Sequence, residues 1–200
     1  MIDLFDGHCD TILKCYLEGM SMCRSPGHLD LERTRKFGRY AQFFAAFGSP
    51  EDMPGRALWE VFLEEAALLQ WELEANSDRV ALCRTGAEAE AAFQAGKAAA
   101  FFSAEGAELL DCDLEKLRIA HKMGVRAVNL TWNHPNALSG TNAKEQDRGL
   151  SEQGRAFVRE MDALGMLVDV SHLSDPGFWD VIEVSTRPII ATHSNSRPVF

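Results

Sequence analysis

No stretch of this 200-residue chain approaches the ~20 apolar residues that a membrane-spanning helix needs. The opening residues, MIDLFDGHCDT, lack the basic patch and following apolar run of a secretory leader. Cysteine is scarce: Cys9, Cys15, Cys23, Cys83 and Cys112 are odd in number and contain no CxxC pair. That pattern speaks against a disulfide framework and against a cysteine zinc site. Together these absences predict a reduced, cytoplasmic protein. Positive charge is also short, since 20 Lys and Arg face 30 Asp and Glu for a formal net charge of −10. Nucleic acid or an anionic membrane would need a basic face, so neither is an expected partner. There is no internal repeat and no low-complexity tract. No glycine-rich phosphate loop follows the first apolar run, which leaves a nucleotide-binding doubly wound sheet with little support.

What is present is a series of short, continuously apolar runs at 2–8, 40–47, 98–104, 125–131, 166–171 and 188–193. Such runs suit parallel strands buried on both faces. Between them lie segments with helix-end signals. Thr85 and Glu88 have capping-box spacing, and Asp113, Ser151 and Ser174 can each cap a following helix. Gly124 and Gly165 suit the left-handed position that ends a helix. The longest helix is expected over 56–75, with its acidic run at 60–74 forming a solvated face. Repeated strand–helix units imply an α/β fold with a parallel sheet, and a single domain spanning 1–200 is enough. A (β/α)8 barrel needs eight strands, and six are counted here.

The placement of polar residues carries the functional signal. Asp6, His8 and Asp10 close the first run at spacing two, which projects them to one side of an extended chain. Glu105 follows the third run, His172 ends the fifth and His193 ends the sixth. Barrel enzymes build their sites at the carboxyl ends of strands. Imidazoles and carboxylates gathered there are a donor set that zinc accepts. Five ligands exceed the three usual for one catalytic zinc, and a carboxylate such as Glu105 can bridge two ions ~3.5–4 Å apart. Each residue alone has a plainer reading. HxD after a strand is common, a strand-end histidine is usually structural, and Glu before Gly is often a turn residue. The shared placement favours the metal reading over these. Asp6 and Asp169 read equally as acceptors that orient ligand histidines and as strand residues satisfied by backbone. His28 and His121 read as surface residues. Trp59, Trp71 and Trp179 read as helix packing, and Cys9 as packing too.

Five segments, DGHCDT, SAEGAELL, NLTWNHPN, GLSEQGRAFVREMDALGMLVDVSHLSD and PIIATHSNSRPV, resemble the renal (membrane) dipeptidase family in order and spacing. The resemblance covers the N-terminal two-thirds of that family and implies a zinc-dependent TIM-like (β/α)8 metallohydrolase barrel, ending before its last strands. It implies that His8 and Asp10 bind one Zn2+, that His172 and His193 bind the other, and that Glu105 bridges them. Mn2+ or Co2+ could occupy the same sites. The implied reaction is hydrolysis of a small dipeptide, including one with a D-residue on the carboxyl side, by a hydroxide held between the two ions. Family members tend to be homodimers.

Two departures stand out. The family's substrate-binding histidine follows the fourth strand in the pattern LTH, where this chain has Trp132, with His134 two residues later. His134 either takes over contact with the developing oxyanion as a catalytic residue, beside Glu105, or is a loop histidine. The family's substrate-binding arginine and proton-handling aspartate would lie beyond Phe200, and the arginine's role is not transferred to Arg197. Two alternatives remain at this stage: a truncated, catalytically incomplete metal-binding fragment, and another barrel amidohydrolase acting on a cyclic amide or lactone. The latter sites usually begin with HxH, which this chain lacks.

Overall fold

The computed structural model describes residues 1–196 and 198. The chain divides into two compact units, 1–103 and 104–200. The first contains β1 (Leu4–Asp6), α1 (Thr11–Glu18), α2 (Leu31–Thr34), β2 (Tyr40–Phe47), α3 (Leu58–Ala75), β3 (Val80–Leu82), α4 (Gly86–Gln94) and most of β4 (Ala98–Glu105). β1 pairs with β2 in parallel, Asp6 opposite Gln42, and β3 pairs with β4 in parallel, Val80 opposite Ala98. β2 lies between β1 and β4. Every residue of β2 is buried, Gln42 included, as its largely apolar run predicted. Alanines at 45, 46, 99 and 100 are buried in the strands, as are the large side chains of Phe44, Phe62 and Phe102. Phe62 of α3 stacks on Phe102 of β4 with ring centroids 5.9 Å apart.

The acidic run of α3 is not wholly solvated, contrary to the sequence expectation: Glu65 and Glu72 are buried. Glu72 Oε2 accepts from the Met22 amide at 3.1 Å and so pins the segment after α1. Glu65 Oε2 accepts from the Phe47 amide at 2.8 Å, at the carboxyl end of β2. Trp71 is exposed, so it does not pack as expected.

The second unit holds the end of β4, a short 3-10 helix (Ala107–Leu110), α5 (Leu114–Met123), β5 (Val125–Asn129), α6 (Glu152–Leu164), β6 (Leu167–Asp169) and α7 (Asp175–Val184). β5 and β6 pair in parallel, bringing Asn129 opposite Asp169. The core of this unit is built from Leu117, Val125, Val128, Phe157, Val158, Met161 and Val168. Helix ends follow the local chemistry read from sequence. Asp113, Ser151 and Ser174 accept from the amides of Lys116, Gly154 and Gly177, and Thr85 in the first unit accepts from Glu88. Gly124 and Gly165 take left-handed φ values of 116° and 72°. Trp179 on α7 is exposed rather than packed.

Six strands are found among the described residues, but not the six expected. β3 was missed, because three residues give no periodicity to read. The run at 188–193 forms only a parallel bridge between Asp169 and Ile190, with Val170 N donating to Ile190 O at 2.9 Å. Each pair of successive strands is nevertheless separated by at least one helix, as an α/β fold requires.

Candidate metal centre

In the first unit β1 ends at Asp6, and the chain turns before His8. Asp10 occupies the N-cap position of α1, with φ −93° and ψ 28°. The expected single-sided projection of Asp6, His8 and Asp10 therefore does not persist, because only Asp6 is in a strand. His8 and Asp10 still meet, with Nε2 of the imidazole 3.1 Å from Oδ1. Asp6 Oδ1 accepts from the His8 amide at 3.2 Å, so it holds the loop rather than the ring. The Cys9 carbonyl accepts from Ala45 N at 3.1 Å, tying this turn to β2. Burial pushes the Cys9 thiol up to about 12, consistent with packing and with no thiolate ligand. A cavity of about 560 Å³ opens beside the pair and is lined by Asp6, His8, Asp10, Lys14, His28 and Arg33 among others. His28 is exposed, as expected of a surface residue, and stands at the lining of this cavity.

In the second unit Glu105 is the last residue of β4 and is buried. Its Oε1 lies 3.0 Å from His172 Nε2 and 3.3 Å from His193 Nε2. The two Nε2 atoms are 2.7 Å apart. His172 comes three residues after β6 and has φ 69°, a left-handed conformation that side chains larger than glycine adopt at a cost of ~1–3 kcal/mol. The turn is held by an antiparallel bridge between Thr141 and Leu173 and by Asn142 N donating to His172 O at 2.9 Å. His193 follows the Ile190 bridge by three residues. Glu105 alone ends a regular strand, and both histidines are carried on turns just beyond one.

The ring nitrogens facing away from Glu105 have partners that sequence reading missed. His172 Nδ1 is 3.0 Å from Asn133 Oδ1, and His193 Nδ1 is 2.8 Å from Thr192 Oγ1. Asp169 supports the same turn: Oδ1 accepts from Ser171 N at 3.0 Å and Thr192 N at 3.3 Å, and Oδ2 accepts from the Thr192 hydroxyl. Its carboxylate is thus satisfied by backbone amides and by the hydroxyl of Thr192, the residue that precedes His193.

Asn133 and His134 lie in the segment 130–151 between β5 and α6. Asn136 anchors it, donating to Leu130 O at 2.7 Å and to Glu108 Oε2 at 2.7 Å. Burial raises the pKa of Glu108. Gly106 takes φ 94°, a backbone conformation that residues with a side chain rarely adopt. His134 Nδ1 is 2.9 Å from Lys144 Nζ, and its ring lies 5.5 Å from that of Trp132. Arg197 lies outside the described residues.

Glu105, His172 and His193 turn one oxygen and two nitrogens toward one another. With both Nδ1 atoms engaged by acceptors, both Nε2 atoms present lone pairs, and three lone-pair donors this close repel unless a cation lies among them. The residues therefore fit a metal ion by their own chemistry. Asn129 Nδ2 and Thr131 Oγ1, at the same end of β5, are buried polar atoms without a hydrogen-bond partner.

An α/β chain with a parallel sheet and a carboxylate and two histidines gathered beyond its strand ends has the architecture of a partial TIM-like barrel of the metallohydrolase class. Residues 1–200 match the family described as Membrane dipeptidase (Peptidase family M19), and the chain belongs to that family. It is 34% identical over 179 residues to the dipeptidase tcpJ of Claviceps purpurea, across 85% of this chain and 42% of that one. A Rhodobacter sphaeroides metallopeptidase, solved with a phosphinate mimic of the dipeptide L-Ala-D-Ala, superposes with a TM-score of 0.86 at 30% identity. That match covers 99% of this chain and 66% of the other. The probable dipeptidase PvdM of Pseudomonas aeruginosa shares the fold, with a TM-score of 0.87 at 24% identity over 98% of this chain and 53% of its own. The chain thus spans less than two-thirds of these relatives. No helix among the described residues is long and apolar enough to cross a membrane.

Proposed function

We propose that this chain carries the metal centre of a zinc-dependent dipeptidase and forms, as one partial-barrel domain, the ligand-bearing part of its active site. The observation that carries the reading is Glu105 Oε1 at 3.0 and 3.3 Å from two imidazole Nε2 atoms whose other nitrogens are already engaged. In this reading His172 and His193 would hold one zinc, His8 and Asp10 would hold a second, and Glu105 would supply the carboxylate common to both. A zinc pair, when bound, brings the pKa of water toward neutrality and polarises a carbonyl.

The chain's own residues supply the rest. His8 and Asp10 lie against a cavity whose volume suits a small ligand, typically ~300–1,000 Å³. Lys14, on its wall, offers a cation for a dipeptide carboxylate. The Lys144 ammonium can only donate, so its 2.9 Å contact leaves the His134 ring proton on Nε2. A proton there can stabilise an oxyanion as the scissile carbonyl is attacked. The mimic bound to the Rhodobacter relative supports extending the substrate class to L,D-dipeptides. Elemental analysis after exhaustive dialysis should find two zinc ions per chain, and Glu105→Ala should lose both metal and turnover on a panel of L,L- and L,D-dipeptides. No retained zinc in the parent chain, or full activity in the variant, would overturn the reading.

A further inference from the structure

We propose that Thr192 and Asn133 are positioning residues that set the ring tautomers of His193 and His172 and so hold both Nε2 atoms ready for metal. The inference rests on the zinc-centre reading above and extends it to residues beyond the ligand set. Asp169 is buried and its carboxylate can only accept hydrogen bonds. The single proton of the Thr192 hydroxyl therefore goes to Asp169 Oδ2. Thr192 Oγ1 then faces His193 Nδ1 at 2.8 Å with lone pairs alone, and the proton in that contact must come from the ring. His193 is thereby fixed as the Nδ1–H tautomer. The Asp169–Thr192–His193 chain is a carboxylate–hydroxyl–histidine relay, in which threonine takes the place of direct contact between carboxylate and imidazole.

His172 reaches the same state by a different route. Asn133 Oδ1 accepts at 3.0 Å from Nδ1, which again leaves the lone pair on Nε2. Neither support is a local accident. Asn133 sits in a segment pinned through Asn136 and through Arg148, whose guanidinium donates to Asn136 O at 2.8 Å and to Ser139 O at 2.7 Å. Thr192 is doubly bound to Asp169, through its amide as well as its hydroxyl. The left-handed turn at His172 adds a second constraint on ring direction. Left to themselves, neutral imidazoles populate both tautomers, and the wrong one would place a proton between ligand and metal.

The test compares Thr192→Val, which keeps shape and removes the hydroxyl, with Thr192→Ser, which restores it. Asn133→Leu and Asn133→Asp form the matching pair, the aspartate keeping the acceptor. Zinc affinity is read by competition with a chromophoric chelator, and the ring ¹⁵N shifts of His172 and His193 are read in the metal-free chain. Thr192→Val and Asn133→Leu should weaken zinc binding ~10–100-fold, and the serine and aspartate variants should recover most of it. The ¹⁵N spectra should show Nδ1–H in the parent chain and a mixture in Thr192→Val at His193 alone. Wild-type affinity and an unchanged ring spectrum in Thr192→Val would overturn the proposal. A parent chain that binds no zinc yet shows Nδ1–H at both rings would support the relay and sink the zinc-centre reading.

Discussion

Asp10 stands at the N-cap of α1, a position where aspartate is favoured for its hydrogen bonds to first-turn amides, yet its carboxylate lies 3.1 Å from His8 Nε2 and caps nothing. A side chain that forgoes a stabilising local bond to stand beside an imidazole is doing so at a cost of ~1 kcal/mol. Replacement by serine removes the carboxylate and keeps a residue type favoured at that position. Asp10→Ser is therefore expected to melt at or above the parent temperature when metal-free, while its zinc content falls from two ions per chain to one. Calorimetry with elemental analysis checks both, and unchanged zinc content would remove Asp10 from the ligand set.

Gly154 separates two opposing effects in α6. Helix propensity alone favours alanine over glycine by ~1 kcal/mol. A Cβ at 154, however, would meet the Leu138 carbonyl oxygen at 2.4 Å, and that oxygen also accepts from Ser151 N at 2.8 Å. The contact is with backbone, which cannot swing aside. Gly154→Ala should consequently destabilise, by ~1–3 kcal/mol, as overpacked sites do. Urea denaturation decides the sign, and a gain in stability would show that the 130–151 segment is free to move.

His134 and Lys144 can be separated from the metal ligands by experiment. His134→Ala should leave two zinc ions in place and lower kcat ~10²–10³-fold, the usual cost of one oxyanion donor. Lys144→Met should give a smaller loss in kcat, again with full zinc content, because the ring remains but its proton is no longer directed to Nε2. Loss of zinc from either variant would assign the pair to metal retention instead.

What could be read from sequence was whatever depended on near neighbours. The caps at Asp113, Ser151 and Ser174 are set by residues within one helical turn, and each is where local chemistry put it. The candidate residues near the strand ends were visible because an apolar run followed by His or Glu is a short-range pattern. β3 was not, since Val80–Leu82 is too brief to show a period. The left-handed turn at His172 depends on the Thr141–Leu173 bridge, and the Thr192 relay depends on Asp169, 23 positions away. Glu65 was concealed differently. Its acidic neighbours on α3 made the whole run look solvated, while the Phe47 amide at the end of β2 holds this carboxyl inward, as the Met22 amide holds Glu72.

That inward carboxyl makes stability depend on pH. Burial, opposed by the Phe47 amide and reinforced by the charge of Asp10, pushes Glu65 up to about 8 from an ordinary 4.5. Between those values the folded chain keeps a proton that the unfolded chain has released. The folded state thus binds more protons, and stability falls as pH rises through this window. At ~1.4 kcal/mol per pKa unit the loss amounts to several kcal/mol by pH 8. Glu65→Gln keeps an acceptor for the Phe47 amide and cannot ionise, so its contribution should be flat across the window. The metal-free parent chain should therefore lose stability between pH 5 and pH 8 in urea titrations, with the variant pulling ahead toward the upper end. Parallel curves for the two proteins would mean that Glu65 is ionised in the folded state and that water or a cation reaches it.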